Sequence, residues 1–252
     1  KLDWQQMGLI AMADLTEAKL LNGSLSAQGW VQWQQYQADI FDDNSIAWRW
    51  QPDLMLRIDD MSGIYQELTT WEDIDVQLAI RRPFYDDFRI DSQISALSIN
   101  PGINIENILA RSTTTIESDF SQALVAIEEV HTDVLGGRIN VPLIRYDTRQ
   151  EVNAFGIEVE GLRLEQLAAL ESGSGVTATG RLDGILPIIL LPKGPQIPAG
   201  SLYARAPGGI VQFRGATADS LKQSDPNVGL AMQVLNDFRY DKLQTDVTYQ
   251  PD

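Results

Sequence analysis

The chain of 252 residues carries one histidine and no cysteine, which leaves little from which to build a reaction. His131 stands in IEEVHTD, on an expected strand, with no second histidine to join it as base or ligand. General acid–base and metal chemistry both lean on that side chain, so a structural role is expected. Ser172 and Ser174 in ESGSGV miss the G-x-S-x-G spacing of an activated nucleophile, and no base accompanies them. Gly173, Gly175 and Gly180 miss the G-x-G-x-x-G spacing of a phosphate cradle. Asp39, Asp42 and Asp43 with Asn44 offer the hard oxygens that Ca²⁺ takes, but not the EF-hand spacing, so they read as a solvated turn. Asp86 and Asp87 in YDDFRID read the same way. Without cysteine there are no disulfides, thiolate metal sites or thiol nucleophiles. A hydrolase using two carboxylates would need one pair set apart among 35 acidic residues, and none is. No enzyme, metal or cofactor is expected.

The 19 basic and 35 acidic residues give a net charge of −16. That field repels nucleic-acid phosphates, so no nucleic-acid partner is expected. Along the sequence no Lys/Arg cluster offsets it and no basic pair forms a carboxylate clamp. No run approaches the ~20 apolar residues of a membrane-spanning helix. Lys1 opens the chain without Met or a signal peptide, and a strand runs into QPD at its end, as expected of a piece cut from a longer protein.

The elements that must position any site are strands. Apolar residues recur at every second position: Ile74, Val76, Leu78 and Ile80; Phe88 and Ile90; Ile46, Trp48 and Trp50, then Leu54, Leu56 and Ile58 beyond Pro52; Gly137, Ile139, Val141 and Leu143; Leu243, Thr245, Val247 and Tyr249. Strict alternation means one buried and one solvated face, the antiparallel habit. Turns are expected at Asp42-Asp43-Asn44, Asn100-Pro101-Gly102, Gly136-Gly137, Lys193-Gly194-Pro195 and Pro207-Gly208-Gly209. The stretch VTATGRLDGILPIILLPKG, which holds the least polar run, puts Val176, Ala178, Leu182, Leu186, Ile188 and Leu190 on one side of an expected strand. On its other side Arg181 and Asp183 give way to Ile185, Pro187, Ile189 and Leu191, so its end is apolar on both faces and needs covering twice. Pro187 removes a ladder donor and predicts an edge or bulge. A short helix is expected in RLEQLAALESGSG, with Leu164, Leu167, Ala168 and Leu170 on one side and Gly173 as its stop. A second is expected in SDPNVGLAMQVLNDF, with the stripe Val228, Ala231, Met232, Leu235 and Phe238. The fold class expected is mainly β: antiparallel hairpins and meanders in an elongated, curled, groove-like sheet with one or two short helices. The chain reads as a single β-rich fragment, with a pause in the pattern at Arg145–Asn153.

The segment NAFGIEVEGLRLEQLAALESGSGVTATGRLDGILPIILLPKGPQIPAGSLYARAPGGIVQFRG, followed by LNDFRYDKLQTDVTYQPD, resembles the C-terminal region of YdbH-like proteins, AsmA-like envelope proteins also labelled a dicarboxylate transport family. The likeness lies in turns and apolar positions, strong over residues 131–252 and faint over 1–130. It implies a periplasmic β-groove in a Gram-negative bacterium, passing phospholipid between inner and outer membranes without chemistry and serving outer-membrane homeostasis. The full-length protein would be anchored in the inner membrane by an N-terminal helix that this chain lacks. Groove candidates on this reading are Leu182, Leu186, Ile188, Leu190, Val211, Phe213, Ile74, Val76, Leu78 and Ile80. Leu243, Val247 and Tyr249 would form the edge that takes up a strand of a small outer-membrane lipoprotein. The alternatives are an assembly module that recruits a partner strand there, or a dicarboxylate-transport-associated protein, which nothing among the basic residues supports.

Overall fold

The computed structural model describes residues 18–37, 46–66, 68–83, 87–170, 175–192, 194–213 and 237–251. The chain forms two compact units, Lys1–Val130 with Leu143–Asn153, and His131–Pro142 with Ala154–Asp252.

In the first unit, β1 (Ala18–Gln37), β2 (Ile46–Tyr65), β3 (Thr69–Arg81), β4 (Phe88–Asn100), β5 (Ile105–Ile116) and the start of β6 (Ala123–Val134) form a meander hydrogen-bonded in chain order. β1 through β5 pair antiparallel. β8 (Ile144–Asp147) returns to pair with Leu124–Ile127 of β6. A short turn joins β4 to β5 at Asn100, whose side chain accepts from the Gly102 amide. β2 runs unbroken through Pro52, which sits one residue beyond the last β2–β3 pair, Asp53↔Arg81. The donor that proline lacks therefore leaves no ladder incomplete on that side. Further along, the β2–β3 register shifts between Ile58 and Met61. Asp60 and Asp73 take positive φ (56° and 49°) there, and the Asp75 and Ser62 side chains accept from their amides.

The second unit holds the end of β6, β7 (Gly137–Val141), β9 (Asn153–Arg163), β11 (Arg181–Leu191), β12 (Gly194–Ala204) and β15 (Gln244–Tyr249), neighbours in that order. A separate three-stranded sheet has the order β10 (Val176–Ala178), β13 (Gly209–Phe213), β14 (Phe238–Tyr240). α1 (Leu164–Ala169) is the one helix among the described residues. Val159, Leu162 and Leu182 form the buried centre, packed by Val134, Leu135, Ile157, Leu164, Leu186, Leu202, Ala204 and Leu243.

The mainly β, antiparallel fold class holds, and among the described residues β1 and β15 each pair on one side only, so neither unit closes into a barrel. Two local expectations need correction. The run from Val176 to Leu190 is two strands in two sheets, because the chain turns at Gly180, whose φ of +125° an L residue rarely adopts. A Cβ there would also strike the Tyr240 hydroxyl. The short helix expected in RLEQLAALESGSG is present as α1, with Leu164 in the core and Leu167 and Leu170 exposed. Phe238 begins a strand and Asp237 stands in a turn before it; the rest of the helix expected in SDPNVGLAMQVLNDF lies outside the described residues, as do Asp39, Asp42, Asp43, Asn44, Asp86, Ser172, Gly173 and Ser174. The irregularity expected at Pro187 is present as a register shift between Ile185 and Ile189.

Candidate functional site

Directly paired residues in an antiparallel sheet share a face, so the ladders of the first unit sort its side chains without ambiguity. One face carries the rows Leu54–Ile80–Ile90, Leu56–Leu78–Ser92 and Ile58–Val76–Ile94–Ala110. β1 continues the rows with Gly29, Ala27 and Leu25. Ile74, opposite Met61, extends the face past the bulge. The other face is charged: Arg81 bridges Asp53 (3.7 Å) and Asp91 (3.6 Å), Arg89 meets Asp91 at 2.9 Å, and Arg111 meets Glu129 at 3.3 Å. Ile74, Val76, Leu78 and Ile80 thus lie together on one apolar face, yet each is only half-buried, and Ile94 is exposed. A core layer packed over this face would bury them fully. From Ile74 to Ile80 the strip runs about 20 Å at the usual rise per residue. A small hydroxyl patch interrupts it where Ser92 and Ser112 lie 2.5 Å apart beside Thr114.

At one end of these strands the same face turns aromatic. Trp33 stacks on Trp50 (centroids 6.1 Å), Trp50 tilts onto Phe88 (4.8 Å), and Phe88 stacks on Phe120 (4.9 Å). The Arg82 guanidinium lies 4.8 Å above the Phe88 ring and donates to the Trp50 carbonyl at 3.3 Å. Phe88 is buried, while Trp33 and Trp48 are each 63% exposed and Phe120 60%. At the far end Trp71 lies across Gly63, and its indole N–H is buried without a hydrogen-bond partner.

The second unit treats its candidates differently. Leu182 is among the most deeply buried side chains and Ile188 is buried, whereas Leu186 and Leu190 are half-buried. Leu182 is therefore a core residue. Ile185, on the reverse side of β11, is 61% exposed. Val211 and Phe213 stand in the small sheet, opposite Ala178 and Val176. At the edge, Val247 pairs with Gly200 and Tyr249 with Ile197. Leu243 precedes the strand, its carbonyl accepting from the Ala204 amide and its side chain packed into the core.

Two ionic groupings went unseen in the sequence. Arg205 binds Asp183 through two hydrogen bonds (2.8 and 2.6 Å), and the Gly161 amide donates to the same carboxylate at 2.7 Å. The Arg205 bonds foremost, then the Gly161 amide, hold the Asp183 carboxyl below its ordinary range. Arg163 and Arg181, distant in sequence, share an open depression of about 460 Å³ with Glu165, Gln166 and Gly180. Glu165 lines the same depression, so sharing it does not make the two arginines a carboxylate clamp. No grouping of metal-ligating side chains occurs among the described residues.

A sheet that is apolar on one face and carries ion pairs on the other offers apolar chains a surface on which to lie. A family model described as YdbH-like, intermembrane phospholipid transport protein YdbH, matches residues 1–252, and the chain belongs to that family. The match spans residues 1–130 as well, where the resemblance in turns and apolar positions is faint. It is a family of lipid transport proteins, not of enzymes, with phospholipid as cargo. No curated protein and no solved structure matches the chain. Among the described residues no helix is long and apolar enough to cross a membrane.

Proposed function

We propose that the chain is a periplasmic, non-enzymatic segment whose antiparallel sheet curls into a groove and conducts phospholipid acyl chains between inner and outer membranes. The observation that carries this is the apolar face across β1–β5: half-buried, and opposite a face that carries the ion pairs. Ile74, Val76, Leu78 and Ile80 line it, and in the second unit Leu186, Ile188 and Leu190 serve the same end. Conduction of this kind rests on continuity of apolar surface, because a tail gains from each strand about what it loses at the last. Native mass spectrometry of the chain recovered from a bacterial periplasm, with lipid extraction of the same sample, tests the reading. Discrete phospholipid adducts are expected; a clean, lipid-free spectrum would count against it.

A second reading, a module that recruits a partner strand, is favoured by β15, which pairs only with β12 among the described residues. Its outer edge, carrying Val247 and Tyr249, would take up a strand of a small outer-membrane lipoprotein. Amide exchange across Gln244–Tyr249 should then slow when that strand is supplied as a peptide.

A further inference from the structure

The apolar face of the first unit changes character from strand to strand, and the order matches the parts of a lipid. On β2 and β3 it is aliphatic, with Leu54, Leu56 and Ile58 opposite Ile80, Leu78 and Val76. On β4 and β5 hydroxyls enter it, since Leu78 pairs with Ser92, Ser92 with Ser112, and Ile90 with Thr114. Ser92 and Ser112 spend one proton on each other at 2.5 Å, which leaves one hydroxyl proton of the pair to give. The Thr114 hydroxyl has no hydrogen bond among the described residues, so its proton is available as well. All three side chains are half-buried and none is charged. Cross-strand bracing accounts for the Ser92–Ser112 bond but not for Thr114, whose partner Ile90 offers its hydroxyl nothing. Beyond β5, the Arg111–Glu129 ion pair sets odd residues of β6 on the charged face, which leaves Ala126 on the apolar one. Ala126 pairs with Arg145 of β8, an exposed side chain with no hydrogen bond or ion pair among the described residues. Glu128 stands on the same side of β6, exposed, so this margin of the face carries both signs.

We propose that Ser92, Ser112 and Thr114 receive the ester carbonyls of a bound phospholipid, with its tails laid across β3, β2 and β1 and its headgroup towards Arg145. The proposal rests on the acyl-chain reading above and adds to it a preference for ester-linked lipid and an orientation across the strands. Number agrees: two available hydroxyl protons meet two ester carbonyls, groups that accept hydrogen bonds and donate none. A carbonyl moved from water onto an aliphatic surface loses its hydrogen bond, and the hydroxyls restore it. Length agrees: the three strand spacings from β4 to β1 measure about 14 Å, against the ~15 Å that one leaflet's tails fill, half of a ~30 Å hydrocarbon core. Charge agrees as well, since Arg145 meets the phosphate and Glu128 an amine beyond it, a margin of both signs for a zwitterionic headgroup.

The test incubates the whole chain with vesicles holding equal amounts of phosphatidylethanolamine in diacyl form and in dialkyl-ether form, with chains of the same length. Native mass spectrometry of the recovered protein reads which lipid it carries. The wild-type chain should carry the ester form over the ether form about tenfold, the scale of two neutral hydrogen bonds. The triple variant Ser92→Ala, Ser112→Ala, Thr114→Val should carry both about equally, with a thermal melt to show that it folds. The wild-type comparison needs no substitution, so it decides even where that variant fails to fold. Arg145→Gln should keep the ester preference but lower uptake of phosphatidylethanolamine relative to diacylglycerol of the same chains about tenfold, the scale of one charge-assisted hydrogen bond. Equal uptake of the two forms by the wild-type chain, or an ester preference that survives in the folded triple variant, would overturn the carbonyl assignment while leaving acyl-chain binding intact. An unchanged ratio of phosphatidylethanolamine to diacylglycerol in Arg145→Gln would overturn the headgroup direction. Uptake of neither form would instead overturn the acyl-chain reading beneath the proposal.

Discussion

Replacing Leu78 by Asp and, separately, its neighbour Gln77 by Asp places the same charge one residue apart on opposite faces of β3. Leu78 lies between Leu56 and Ser92 on the apolar face, while Gln77 pairs with Arg57 and Gln93 on the charged face. Leu78 is half-buried, so losing its side chain costs the folded chain about 1 kcal/mol, half of what full burial of a leucine contributes. A carboxylate set against hydrocarbon costs about 3 kcal/mol, so lipid occupancy should fall about 100-fold in Leu78→Asp. Gln77→Asp is exposed beside a guanidinium and should change neither stability nor occupancy by more than a few tenths of a kcal/mol. Native mass spectrometry reads occupancy and a thermal melt of the same sample reads stability. Unchanged occupancy in Leu78→Asp, or equal loss in both variants, would refute the assignment of faces on which the function rests.

Leu182→Ala removes one of the most deeply buried side chains and should destabilise the second unit by about 3 kcal/mol in a denaturant melt, with the spread set by how far the cavity collapses. Asp183→Asn keeps an acceptor for the Gly161 amide but strips Arg205 of its carboxylate, and should cost about 1–2 kcal/mol in the same melt. Bonds from Arg149 foremost hold the Asp147 carboxyl at about 2, against about 3.9 in an unfolded chain. Because the folded value is depressed, the stability it supplies is complete above about 3.9 and lost as pH falls towards about 2. Carboxyl NMR titration should show this, and Arg149→Gln should move the Asp147 midpoint back up towards the ordinary range.

Period-two alternation made the strands legible, because one residue in two must face a partner layer or a ligand and apolar type records it. Pro187 announced its register shift for an equally local reason, the missing donor. What alternation could not supply was the identity of each face. Val76 and Leu78 were visible as a set, but only pairing with Ile58, Leu56 and Ile94 made them a continuous surface. Non-local ladders also hid the pairing of Asp183 with Arg205 and the depression that Arg163 and Arg181 both line. The aromatic rim left a trace in the spacing of Trp48 and Trp50, unread because Phe88 and Phe120 join it from other strands. The single strand expected from Val176 to Leu190 failed for a backbone reason: alternation continues across Gly180, but the chain direction does not.

The half-burial of β2 and β3 governs how freely this sequence can drift. At Leu182 the neighbours fix volume and shape together, so a change there must be matched by changes around it. At Leu54, Leu56, Ile58, Val76, Leu78 and Ile80 the side chains are only half-buried, so an apolar character is demanded more strictly than a shape. Exchanges among Val, Ile, Leu and Met at these positions are close to neutral, and random substitution can run through them quickly. Two chains could then keep the same ladders and the same greasy face while sharing few letters, and their kinship would survive in the rhythm of the sequence rather than in its spelling.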